Sequence, residues 1–330
     1  MHLPLSRDGP GSAQKGRKGG REVNVFRKET YGKILIPMVT PFAEDQSVDY
    51  AKAKKLAKYL VDHKKGDTLI LSGTTGEFHS QTFDERVKLF EAVKESVGGQ
   101  IPLIAGIGCA STIETIALGK RATALGFETV MIVAPYYTKP SPQELYTHYV
   151  KIAEALPSLN IMLYNIPIFT GVNIDPETVG RLAQVKNIVA IKEEAELNPK
   201  QITGFLNATP EDFIIYNGDD TMILEAYAQG GPERIGGVIS GASHVIGGLI
   251  RDMIDTFLAG KITDAAQMQR KIYPLLKIMG QNGRTNPVCL WKEAMKLVGV
   301  DAGIPRLPLS KGTPEEVENV KRVMKSLNLI

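Results

Sequence analysis

Thiol and imidazole groups are scarce in this chain. Its 330 residues include two cysteines, Cys109 and Cys289. They lie far apart in no metal-ligand spacing, which excludes a disulfide framework and fits a reducing cytosol. The five histidines (His2, His63, His79, His148, His244) form no HExxH or related pair, so no metal site is expected. No apolar run approaches the roughly 20 residues that cross a bilayer, so no membrane association is expected. A surplus of charge is missing too. The formal net charge is +3, and residues 1–30 carry seven Lys or Arg against three acids, which leaves the rest of the chain one negative. The pI of about 8.6 therefore belongs to the N-terminal tail and is no footprint of nucleic-acid binding. A Gly-rich phosphate turn after the first apolar run is also lacking. Gly106-Ile107-Gly108 has no third glycine and follows the third run, which argues against a doubly wound nucleotide fold.

What is present is a large reserve of core-forming residues, 43% hydrophobic against 23% charged. Residues 1–30 are rich in Gly, Lys and Arg without an apolar h-region and read as a disordered leader or cloning remnant. From Gly32 onward eight short apolar runs, at 34–39, 68–71, 101–107, 129–134, 161–164, 188–191, 213–216 and 235–239, alternate with amphipathic segments. Thr82 with Glu85, Ser111 with Glu114, and Ser141 with Glu144 have the spacing of capping boxes, and Asp175-Pro176 pairs a cap with a first-turn proline. Val87, Phe90, Val93 and Val97 form a stripe that suits a helix packed on a sheet. Eight such units predict an α/β fold, a (β/α)₈ TIM barrel over residues 31–260. Residues 261–330 are purely helical, near 261–278, 288–297 and 314–327, the last opened by Thr313 and Glu316. They predict a C-terminal helical extension.

Barrel active sites lie at the carboxyl ends of the strands. There the sequence places Ser72-Gly73-Thr74-Thr75-Gly76-Glu77, Pro135-Tyr136-Tyr137, Tyr164-Asn165, Lys192 and Ser240-Gly241. A buried ammonium is costly, and desolvation favours the neutral amine, a nucleophile that forms a Schiff base with a carbonyl. One lysine among hydroxyls and phenols, with no histidine, suits carbonyl chemistry better than metal hydrolysis or triad chemistry. The glycines flanking Thr74 and Thr75 let backbone amides and hydroxyls approach a carboxylate. Each motif also has a plain structural alternative: a strand surfacing at Lys192, a tight turn at 73–77, an interface pair at Tyr136 and Tyr137, a core tyrosine at 164.

Gly73-Thr74-Thr75-Gly76-Glu77, Pro135-Tyr136-Tyr137 with Lys139-Pro140-Ser141, Leu163-Tyr164-Asn165-Ile166-Pro167, Thr170-Gly171 and Ile191-Lys192-Glu193, in this order, resemble the dihydrodipicolinate synthase and N-acetylneuraminate lyase family. The similarity runs from about Gly32 to the carboxyl end, through Asn286-Pro287 and Arg306-Leu307-Pro308. The resemblance implies a class I aldolase with no cofactor or metal, in which Lys192 forms an imine with pyruvate or a related 2-oxo acid. It implies Tyr164 as general acid and base, Thr74 and Thr75 as carboxylate ligands with Thr75 in a proton relay, and Tyr137 completing the relay from an adjacent subunit. Gly73, Ser240, Gly241 and Phe169 join the expected substrate site, and a cytoplasmic homotetramer is the expected assembly. Phe169 stands where dihydrodipicolinate synthases carry an arginine for the second carboxylate, and Ala110 where lysine-inhibited members carry asparagine. With Gly76-Glu77-Phe78 and Trp291-Lys292-Glu293-Ala294, this turns the expectation towards aldol cleavage or condensation of a 2-keto-3-deoxy sugar acid. The alternatives are dihydrodipicolinate synthesis proper, a dehydratase using the same imine, and a non-catalytic 2-oxo-acid-binding barrel. If either Glu194 or Glu196 faces the pocket, its carboxylate favours the protonated lysine and opposes activation, or else grips substrate hydroxyls; if both face solvent they mean nothing.

Overall fold

The computed structural model describes residues 26–194 and 198–330. A helical turn, α1 (Lys28–Tyr31), precedes eight parallel strands that close into a barrel in sequential order. The strand and helix units are β1 (Ile34–Pro37) with α2 (Tyr50–Asp62), β2 (Thr68–Leu71) with α3 (Phe83–Val97), β3 (Leu103–Gly106) with α4 (Thr112–Ala124), and β4 (Thr129–Val133) with α5 (Pro142–Ala155). They continue with β5 (Asn160–Asn165) followed by α6 (Pro167–Thr170) and α7 (Pro176–Leu182), then β6 (Ile188–Glu193) with α8 (Gln201–Ala208). The last two are β7 (Ile214–Asn217) with α9 (Ile223–Arg234) and β8 (Ile235–Ile239) with α10 (Ser243–Leu258). Pairing of Ile34 with Val238 and Leu35 with Ile239 closes the cylinder. Helices α11 (Ile262–Ile278), α12 (Val288–Leu297) and α13 (Pro314–Ser326) follow.

Period-2 alternation splits each strand between two cores. Leu35, Ile70, Ile104, Met131, Met162, Ala190, Ile214 and Ile239 fill the barrel, while neighbours such as Ile36, Leu71, Val130, Leu163 and Val238 pack outward under the helices. Leu275, Val288, Trp291, Ala294 and Val320 of the C-terminal helices belong to that same outer core, so the extension is continuous with the barrel shell. On β6 the alternation is broken. Ile188 faces outward, and the register slips beside it, so that Ile161 pairs with Ile188 but Met162 with Ala190. This irregularity at Val189 reverses the parity and turns Ala190 inward, and with it Lys192 two residues on.

The reciprocal capping boxes form at Thr82, Ser141 and Thr313, and Asp175 caps α7 with its carboxylate. The box expected at Ser111 does not form. Thr115 takes over instead, its hydroxyl accepting from the Cys109 amide at 3.1 Å and donating to the Ser111 carbonyl at 2.9 Å. The leader expected over 1–30 lies mostly outside the described residues, and its residues 28–30 belong to α1. Tyr31 closes the base of the barrel, its hydroxyl 2.5 Å from Thr129 Oγ1 and its carbonyl accepting from Thr68 Oγ1 at 2.6 Å.

Candidate active site

Strands β5 and β6 pair so that Tyr164 lies beside Lys192. Both point into the barrel mouth, where the Lys192 ammonium lies 4.1 Å from the centroid of the Tyr164 ring. They are 4% and 1% exposed. None of the ion pairs among the described residues involves Lys192. Gly218, just after β7, leaves the space for this side chain, since a Cβ there would stand 2.7 Å from Lys192 Cε. The pair opens into a cavity of about 470 Å³ that Thr74, Thr75, Phe169 and Gly241 also line. The sequence-predicted lysine, phenol and hydroxyls therefore meet in one place.

Thr74 and Thr75 sit on a turn between two residues of left-handed backbone that are not glycine, Ser72 (φ 53°) and Glu77 (φ 58°). Such conformations cost roughly 1–3 kcal/mol each and persist only where surroundings enforce them. Here the Glu77 amide donates to the Thr74 carbonyl at 2.9 Å. Gln81 Nε2 donates to the Gly76 carbonyl at 2.6 Å and Gln81 Oε1 accepts from the Ser72 hydroxyl at 3.2 Å.

Three expected residues are placed differently. Ser240 is fully buried and does not line the cavity itself; its hydroxyl accepts from the Ser243 amide at 3.0 Å at the start of α10 and lies behind the Asp220 carboxyl. Gly73 lines a small crevice beside the main cavity, with Ser72, Phe78 and Met131. Tyr137 has φ 75° and is 92% exposed, outside the cavity of its own chain. Glu194 lines the cavity, and Glu196 lies outside the described residues.

Two carboxyl groups escaped the sequence reading. Asp220, after β7, lines the cavity; its Oδ2 accepts from the Ala242 amide at 2.9 Å, and its Oδ1 has no hydrogen-bond partner among the described residues. Burial pushes this carboxyl up to about 6, against the pull of Ser240 and the Ala242 amide. The motif Asn217-Gly218-Asp219-Asp220 follows an apolar run, so the strand-end rule applied to β7 finds it. Glu193 faces outward from β6 and is pushed up to about 8 by burial. Among the described residues it has no cation, and Asn165 Nδ2 and Gln201 Nε2 donate to it at 2.9 and 3.0 Å. The Asn165 contact ties the two strands together one residue beyond Tyr164 and Lys192.

The far wall of the cavity carries Ile168, Phe169, Leu276, Met279 and Trp291, with Arg284 beside them. The Arg284 guanidinium is committed: Nε and Nη2 both donate to the Glu316 carboxylate at 2.8 Å. That contact holds Glu316 down at about 2.

The Dihydrodipicolinate synthetase family profile matches residues 30–327. A relative from Desulforamulus reducens named 4-hydroxy-tetrahydrodipicolinate synthase is 46% identical over 91% of this chain and 98% of its own, and one of the same name from Moorella thermoacetica is 43% identical over 91% and 99%. Among solved structures, dihydrodipicolinate synthase from Cyanidioschyzon merolae with lysine bound superposes at a TM-score of 0.85 with 37% identity, over 91% of this chain and 99% of that one. The chloride-inhibited enzyme from Acinetobacter baumannii complexed with pyruvate gives 0.82 with 30% identity, over 91% and 100%.

Proposed function

We propose, from the premise that this chain belongs to the dihydrodipicolinate synthetase family of class I aldolase-type lyases, that Lys192 forms its imine with pyruvate and Tyr164 carries the protons. The observation that carries this reading is the buried amine set against a buried phenol, in a cavity that opens onto the Thr74 and Thr75 hydroxyls. The amine adds to the C2 carbonyl, a proton passes to the carbinolamine oxygen, and water leaves as the iminium forms. The iminium then draws electrons from C3, which loses a proton to give an enamine. The enamine electron pair bonds to an aldehyde carbon while the aldehyde oxygen takes up a proton, and water releases the product and restores the amine. No cofactor enters this scheme, because the iminium is itself the electron sink. Thr74 and Thr75 hold the carboxylate, and Thr75 with a Tyr137 supplied by an adjacent subunit relays protons. The exposure of Tyr137 on the single chain supports that last role and the homotetramer expected with it.

For the second substrate, the names of the relatives favour aspartate semialdehyde, and hence dihydrodipicolinate synthesis proper, over the sugar-acid cleavage expected from sequence. The sugar-acid reading keeps one specific support. Phe169, 40% exposed at the cavity, cannot grip a second carboxylate, and Arg284 is bound to Glu316. Incubation with pyruvate and borohydride tests the core of the proposal, the expected result being a permanent mass increase on Lys192. An unmodified Lys192 would end it. Pyruvate consumed with aspartate semialdehyde, against pyruvate released from 2-keto-3-deoxy acids, separates the two substrate readings.

A further inference from the structure

Four charged side chains at the barrel mouth have no part in this chemistry, and they join the C-terminal helices to the turn that carries Thr74 and Thr75. Lys292, on α12, is 3% exposed, and its ammonium donates to Glu77 Oε1 at 2.6 Å, the Thr40 carbonyl at 2.8 Å and the Ile304 carbonyl at 2.7 Å. That uses all three N–H donors of a lysine. Glu77 is fully buried, and its second oxygen accepts from the Arg306 backbone amide at 2.8 Å. Further along, the Arg306 guanidinium grips both oxygens of Glu85 on α3 at 2.8 Å and the Ser80 carbonyl at 2.7 Å. Lys292 and Arg306 thus staple the connection between β2 and α3 at Glu77, at Ser80 and at Glu85 on α3 itself.

Stability does not account for this arrangement. Desolvation offsets most of the attraction in a buried ion pair, and well-packed apolar residues often serve as well or better. Its location does have an account. Glu77 is the left-handed residue that closes the Thr74–Thr75 turn through its own amide, a conformation a glutamate adopts only when held there. Trp291, the neighbour of Lys292, meanwhile lines the cavity itself.

We propose that Lys292 is a positioning residue, acting through Glu77 to hold the Thr74–Thr75 turn as a preformed receptor for the carboxylate of the 2-oxo acid, so that the C-terminal helices are part of the catalytic unit. The inference rests on the carboxylate-binding role given above to Thr74 and Thr75.

The test compares the full-length wild type with the double variant Glu77→Gln/Lys292→Met, which removes both charges and strands neither. The melting temperature is expected to return to within a few degrees of wild type. KM for pyruvate is expected to stay raised by about tenfold or more, the loss of a charge-assisted contact, with kcat changed far less. Borohydride trapping on Lys192 at saturating pyruvate is expected to persist. A KM that recovers along with the melting temperature makes the pair mere structural support and overturns the proposal. Should the double variant fail to fold, Lys292→Arg is measured instead. It keeps the charge but cannot reproduce three donors from one nitrogen, so KM should rise by several-fold, and an unchanged KM overturns the proposal equally. Wild type that traps no pyruvate brings down the Lys192 reading, and this one with it.

Discussion

Two lysines are buried at the mouth of this barrel, and the fold treats them in opposite ways. Lys292 is surrounded by acceptors, one carboxylate oxygen and two carbonyls within 2.8 Å. Burial pulls its pKa below the ordinary lysine value while Glu77 pushes back. Lys192, just as buried, has the face of a tyrosine ring 4.1 Å from its ammonium and, among the described residues, no ion-pair partner. The first is spent on holding a turn and has no hydrogen left to exchange. The second keeps its nitrogen open to a ligand. What separates Lys292 from the lysine proposed as the nucleophile is the number of acceptors in hydrogen-bond contact, not the depth of burial.

The comparison breaks first at Lys192. Lys192→Ala should remove pyruvate trapping altogether and lower turnover by on the order of 10⁴ or more, the scale seen when a covalent nucleophile is lost. Turnover that survives would mean another amine does the work. Tyr164→Phe is milder: imine formation should persist while turnover falls by about 10²–10⁴, as for loss of a general acid and base. Unaltered turnover would show the proton carrier to be another group, with Asp220, which lines the same cavity, the next to test. At the other lysine the loss should appear in stability. Lys292→Met alone strands Glu77 in the core, which should cost about 3–5 kcal/mol of unfolding free energy by chemical denaturation. A cost under about 1 kcal/mol would mean that water reaches Glu77 and that the contrast between the two lysines is overdrawn.

Which lysine would be which was only partly legible in the sequence. Eight apolar runs with caps between them announced the barrel, because strand burial and helix capping leave local signatures. The end of the sixth run announced Lys192 as a candidate. The face it occupies was not announced, because Ile188, Val189, Ala190 and Ile191 are all apolar and carry no alternation. The register slip at Val189 decides it, and that slip is a property of pairing with β5. Lys292 reads locally as a polar position on an amphipathic helix, and its partner lies 215 residues away. Asp220 was within reach of the strand-end rule. Ser240 looked like a site residue because of its place after β8, yet its hydroxyl serves α10. Contacts far apart in sequence, and the direction of a side chain at a strand end, are settled only by packing.

The far wall of the cavity offers a smaller effect that sharpens the substrate side of the contrast. Phe169→Arg would restore a guanidinium where Arg284 is already committed to Glu316. Its kcat/KM with aspartate semialdehyde should rise by about tenfold, the worth of one charge-assisted contact, with no such rise for a 2-keto-3-deoxy sugar acid. A fall with aspartate semialdehyde would show that its second carboxylate binds elsewhere, or that it is no substrate.

A pH-dependent effect comes from a third buried base near the mouth, His244, which is satisfied by neutral groups alone. Its Nε2 accepts from the Val39 amide at 3.2 Å, so that nitrogen carries no proton, and its Nδ1, 2.8 Å from the Gly241 carbonyl, is the one that donates. Protonation would set an N–H against the Val39 N–H. Burial, helped by the nearby Lys292 charge, pushes His244 down to about 4 against the pull of the Gly241 carbonyl, and burial also takes His148 to about 4. A base with a depressed pKa stabilises the fold fully above its unfolded value of about 6.5 and loses that contribution as pH falls through 4. Each of these histidines can therefore cost up to about 3 kcal/mol between those limits. Histidine ring signals followed by NMR should show at least two still neutral at pH 5, with denaturation midpoints falling steadily below pH 6.5. Five rings that all titrate near 6.5 would mean that solvent reaches His244, and then the Lys292 charge beside it is not enclosed as the comparison of the two lysines requires.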